Sequence, residues 1–120
     1  MNPKTQIIIA AAFGLLGVAL GAFGAHGLKK ILTAENLEIY KTGVLYHLIH
    51  SVVLLAIAVN AGYNFTTSFL LLAIGIILFS FSLYAYSVTG IKFLAVITPF
   101  GGISLILGWL MIIVTVLRTN

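Results

Sequence analysis

Almost all the acid–base and metal-ligating capacity of this chain rests on three histidines, because it has no cysteine and only two acids, Glu35 and Glu38. His47 and His50 stand three residues apart, so on a helix both project to broadly one side. His26 lies upstream, where an apolar stretch gives way to Gly27 and Lys29-Lys30. Neutral imidazoles so arranged could relay protons, ligate a metal or hold a haem iron. A structural use competes with each of these, since an imidazole near a membrane boundary can bond a backbone carbonyl, Tyr46 or a lipid phosphate. Haem asks for axial ligands facing one another across helices, which neighbours on one helix cannot supply alone. The residues favour the structural use, and neither a metal nor a cofactor is expected.

Hydroxyl groups extend the candidate set. Ser80, Ser82, Tyr84, Tyr86 and Ser87 crowd one short stretch, and Thr98 opens the last apolar segment. If successive segments alternate in direction, His26, His47, His50, Ser80, Ser82, Tyr84 and Thr98 converge near one membrane face. That cluster is the best site the residues offer. Its bland counterpart has hydroxyls bonding their own helix carbonyls and tyrosines joining an interfacial belt.

The elements that must carry these groups follow from composition. The chain of 120 residues is 62% hydrophobic and 7% charged, against roughly 45–50% and about 25% in soluble domains. So small a fold leaves much of its area outside, and here that outside must be apolar. Lipid is the solvent that tolerates it. The net charge of +4 comes from six scattered cations and two acids. It reads as charge flanking membrane segments and meeting headgroups, not as a nucleic-acid surface.

A hydrocarbon layer about 30 Å thick needs about 20 apolar helical residues to cross it. Segments 7–25, 44–61, 68–88 and 93–117 qualify, and none holds Asp, Glu, Lys or Arg. The first follows Lys4 and could be mistaken for a signal peptide, but its length favours a retained helix. Short connections at 62–67 and 89–92 imply antiparallel neighbours. The expected fold is all-α: one integral membrane domain, 1–120, forming an up-down-up-down four-helix bundle. Lys29, Lys30, Lys41 and Lys92 on one side outnumber Lys4 and Arg118 on the other. The positive-inside rule then places both termini outside the cell membrane and the connection 27–43 in the cytoplasm. Within that connection, residues 33–42 suit either an amphipathic helix in the interface or a polar start to the second span.

Small residues mark where helices should meet. Ala10, Gly14, Gly17, Gly21 and Gly24 follow at spacings of four, three, four and three, which holds them on one helix face. Thr98, Gly101, Ser104 and Gly108 repeat the pattern in the fourth segment. Such faces let backbones approach closely in lipid. Two of them suggest one used within the bundle and one against a partner, either a second copy or a larger membrane complex. Pro99, followed by Gly101-Gly102, could break the fourth helix around a transport site, but a packing groove near the helix start is the simpler reading.

Walker, Rossmann, HExxH and GxSxG motifs are missing, and so is any carboxylate within a span. The expectation is a polytopic membrane component without enzymatic activity. The alternative is a lipid, quinone or minor solute bound or transported through the His/Tyr/Ser cluster.

Several strings together carry a family resemblance. They are Gly21-Ala22-Phe23-Gly24-Ala25-His26-Gly27, Tyr40-Lys41-Thr42-Gly43, Tyr46-His47-Leu48-Ile49-His50-Ser51, Leu78-Phe79-Ser80-Phe81-Ser82-Leu83-Tyr84, Ile97-Thr98-Pro99-Phe100-Gly101-Gly102 and Leu107-Gly108-Trp109. Their order resembles the domain-of-unknown-function 423 family of small bacterial membrane proteins, related to transmembrane-protein-256-like proteins. The resemblance spans nearly the whole chain and implies four membrane helices with no established activity. It puts emphasis on His26, His50, Ser80, Ser82, Tyr84, Pro99, Gly101, Gly102 and Trp109.

Overall fold

The computed structural model describes residues 1–119 and contains four long apolar helices. They are α1 (Pro3–Leu28), α2 (Ala34–Ala58), α3 (Thr66–Thr89) and α4 (Lys92–Arg118). Local chemistry sets their ends. Asn2 Oδ1 accepts the Thr5 N–H at 2.8 Å, and Pro3 opens α1 where a missing donor costs nothing. Thr33 Oγ1 accepts the Asn36 N–H at 3.1 Å and starts α2. Gly90, at φ 69°, ends α3 in the left-handed conformation that glycine adopts without strain.

Helix α2 therefore begins at Ala34, well before the expected residue 44, and no separate interfacial helix exists at 33–42. Glu35, Glu38 and Lys41 occupy its first turns, where a helix about 37 Å long overhangs a hydrocarbon layer about 30 Å thick. Lys41 and Glu38 are exposed there and form a loose pair at 3.4 Å. Helix α4 runs through Pro99 without an unwound segment, so the broken-helix reading does not hold.

The close helix pairs are α1–α2, α2–α3 and α3–α4. Among the described residues α1 and α4 do not form such a pair, although neighbours in a square bundle would. Helices α2 and α3 occupy the centre, and α1 and α4 flank them in a flattened body of 53 × 25 × 18 Å. Leu54 of α2 and Phe69, Leu72 and Ile76 of α3 are wholly enclosed. Lipid is as apolar as these side chains, so close packing, not expulsion of water, holds the helices together.

Both small-residue faces serve that packing. A Cβ at Gly17 would stand 2.8 Å from Leu48, and one at Gly21 would stand 2.9 Å from Val44; Gly24 abuts the Tyr40 hydroxyl. Gly14 lies more loosely over Ser51. The face of α1 thus seats on α2. On α4, Gly101 lies against the α3 backbone at Leu78 and Phe79, and Gly108 against Leu72. Ser104 donates to the Leu71 carbonyl at 2.7 Å. The expectation of one stripe facing a partner is corrected: both are consumed inside one chain, because each is matched by bulk on its sequence neighbour. Gly75 completes the α3–α4 contact from the other side, against Leu105, and Gly43 serves the α2–α3 contact, against Tyr84. They stand alone in their helices and so formed no visible stripe.

Two wide π-type turns interrupt the α-helical ladder, at Leu20–Gly24 in α1 and Ile77–Phe81 in α3. Such turns shift the backbone bonding and expose carbonyls to outside donors. The Tyr40 hydroxyl donates to the Leu20 carbonyl at 2.6 Å. Within α3 itself, the Ser82 hydroxyl donates to the Phe79 carbonyl at 2.8 Å.

Candidate functional site

His47 is fully buried and joins three helices. Its Nε2 lies 2.8 Å from the Phe13 carbonyl oxygen of α1, and its Nδ1 lies 2.8 Å from the Tyr84 hydroxyl of α3. A carbonyl can only accept, so Nε2 carries the hydrogen, and in the neutral ring the Tyr84 hydroxyl donates to Nδ1. Gly17 makes this possible. It stands one helical turn after Phe13, and a Cβ there would meet His47 Nε2 at 3.3 Å. Phe13 and Phe81 close over the ring, with centroids at 6.0 and 5.5 Å.

His50 is also buried but turns elsewhere. Its Nδ1 lies 2.7 Å from the Tyr46 carbonyl of the preceding turn, and the Trp109 indole N–H of α4 donates to Nε2 at 3.0 Å. Here the hydrogen sits on Nδ1. As neutral rings the two are opposite tautomers, and every ring nitrogen has a protein partner. Three residues along a helix still leave a divergence of about 60°, enough for His47 to meet α1 and α3 while His50 meets α4.

Ser82 and Thr98 share a hydrogen bond at 2.6 Å that ties α3 to α4. Ser51 and Ser87 return their hydroxyls to the His47 and Tyr84 carbonyls of their own helices, at 2.7 and 2.8 Å. Ser80 is buried beside Gly43, and its hydroxyl has no partner among the described residues. Tyr40 packs its ring 5.0 Å from that of Tyr84.

The bundle brings most of the expected cluster together and leaves His26 out. His47 bonds Tyr84 at 2.8 Å and Ser82 bonds Thr98 at 2.6 Å, and Ser80, Ser82 and Tyr84 follow at every second position of α3, so these five share one layer of the bundle. His26 is exposed at the end of α1 and meets neither other histidine. Within that layer the polar groups are tied in pairs, His47 to Tyr84, His50 to Trp109 and Ser82 to Thr98. Among the described residues no three histidine or acidic side chains gather closely enough to hold a metal. The Phe13 carbonyl was missed because backbone groups leave no mark in residue types. The glycine four positions after it is the signal that could have pointed there.

Fold and site together define a polytopic α-helical membrane protein whose two buried histidines are bonded to its own groups. The chain belongs to the family described as "Protein of unknown function (DUF423)", whose model matches residues 20–102. That segment includes every residue of the expected cluster. The UPF0382 membrane protein YwdK of Bacillus subtilis is 43% identical, with 96% of this chain and 98% of the relative covered. Staphylococcus saprophyticus has a UPF0382 membrane protein, SSP2132, 40% identical over 92% of this chain and 95% of its own. The UPF0382 inner membrane protein YgdD of Escherichia coli is 37% identical, covering 98% and 93%. No solved structure matches the chain.

Proposed function

We propose that this protein is a non-catalytic component of the cell membrane, acting through association with other spanning helices. One observation carries the reading: both nitrogens of His47 and of His50 are held by protein groups. A general base, a metal ligand or a haem ligand needs a free lone pair, and these rings keep none. The outward faces support association. Leu15, Val18 and Phe23 of α1 and Phe100, Ile103 and Ile106 of α4 are exposed, and each of these helices has one close neighbour.

Native mass spectrometry of the protein released gently from its membrane tests this. A mass above that of the single chain is expected, from a second copy or another membrane protein. A bare monomer under every mild release condition would sink the proposal. In the competing reading, a solute in the His/Tyr/Ser cluster reaches an imidazole only by displacing a protein partner such as Tyr84 or Trp109.

We also propose that both termini lie outside and that the connection after α1 is cytoplasmic, as the lysine distribution favours. The chain has no native cysteine, so single replacements report cleanly. Asn64→Cys should react in intact cells with a membrane-impermeant maleimide, and Lys30→Cys only after permeabilisation. The reverse pattern would invert the topology.

A further inference from the structure

We infer that the pocket at the face carrying the α2–α3 connection binds the phosphate and glycerol-ester region of a phospholipid. The pocket, of about 470 Å³, lies between the start of α1, the end of α2 and the start of α3. That is far larger than the share of one water, about 30 Å³. Its position at the helix ends sets it level with lipid headgroups.

Gln6 lines it and is only 7% exposed, yet its side-chain amide has no hydrogen-bond partner among the described residues. Its remaining exposure opens to the pocket, and a largely enclosed amide with no protein partner generally meets water or a ligand. Two further amides face the same space. Asn60 Oδ1 accepts the N–H groups of Gly62 and Tyr63, each at 3.0 Å, and Asn64 Oδ1 accepts the Thr66 N–H at 3.1 Å. A backbone N–H can only donate, so those contacts assign the oxygens and leave both NH2 groups as donors. No carboxylate lines the pocket, and both acids of the chain lie on the opposite membrane face. The positive ends of the α1 and α3 dipoles lie at this face. Tyr63 and Phe65 pack at 5.5 Å beside it, as aromatic side chains do at the interface. A donor-rich, acid-free pocket selects an acceptor-rich ligand. Phosphate and ester oxygens are the acceptors present at that depth.

The site is independent of the proposed association with other helices. The full chain in detergent is titrated with phosphatidylglycerol, with diacylglycerol of the same acyl chains, and with inorganic phosphate, read by native mass spectrometry and thermal unfolding. Phosphatidylglycerol should be retained and raise Tm, and diacylglycerol should bind more weakly. Gln6→Leu should weaken phosphatidylglycerol binding about tenfold, the scale of a hydrogen bond to a charged group. Lys30→Ala, on the opposite face, should leave it unchanged. Where Gln6→Leu does not fold, Gln6→Glu keeps the size, adds a negative charge and should weaken binding likewise. Equal losses for the Gln6 and Lys30 variants, or none for Gln6, would overturn the site. A Gln6-dependent response to inorganic phosphate without one to phosphatidylglycerol would overturn the lipid assignment.

Discussion

Gly101→Ala should destabilise the protein by about 1–3 kcal/mol, the usual cost of overpacking, while Gly102→Ala should be nearly neutral. Both changes add one methyl to adjacent positions of α4 and gain the same helix propensity. They differ in what the methyl meets. At Gly101 it runs into the Phe79 amide nitrogen and the Leu78 carbonyl carbon, backbone atoms of the wide turn in α3. Backbone held in a helix cannot rotate aside as a side chain can. Helix α4 must then retreat, stretching the Ser82–Thr98 bond at 2.6 Å and the Ser104–Leu71 bond at 2.7 Å. At Gly102 the methyl reaches only the Phe79 ring, at 3.8 Å, an ordinary contact. Unfolding of the two variants in one detergent separates the cases, and equal Tm values would refute the packing argument.

His47→Ala is the second large effect, expected at about 2–4 kcal/mol from a cavity plus a stranded buried hydroxyl. The imidazole fills the junction of α1, α2 and α3 and bonds the first and third of these. Tyr84→Phe keeps its ring and should cost only about 0.6 kcal/mol, the average for hydrogen bonds between membrane helices, and no more than about 1.7 kcal/mol, the largest measured. Because the two groups share one bond, the double variant should fall short of additivity by about 1 kcal/mol. Full additivity would show that the Tyr84 hydroxyl does not depend on the imidazole.

The sites of both predictions were only half visible in the residues. Gly101 belonged to a spaced stripe, which announced close approach without naming the surface approached. The wide turn in α3 that receives it arises from how Ile77–Phe81 bond along their own helix, and no residue type there requires it. His47 and His50 stood out as ionisable groups in an apolar stretch. Their helical spacing suggested one shared site, whereas the structure sends them to opposite flanks.

What the sequence determined by itself is governed by the bilayer. Its thickness demands long charge-free runs, and its lack of water demands helices, so the four spans and all-α class follow from local composition. Small residues at three- and four-residue spacing likewise mark a face before any neighbour is known. Tertiary structure decided which neighbour each face meets, because periodicity orients a helix about its own axis and says nothing of the helix beyond. The separation of α1 from α4, the opposite tautomers of His47 and His50, and the absorption of both glycine faces within one chain all follow from that arrangement. The three histidines thus remain the chain's main ionisable resource, but two of them are fasteners.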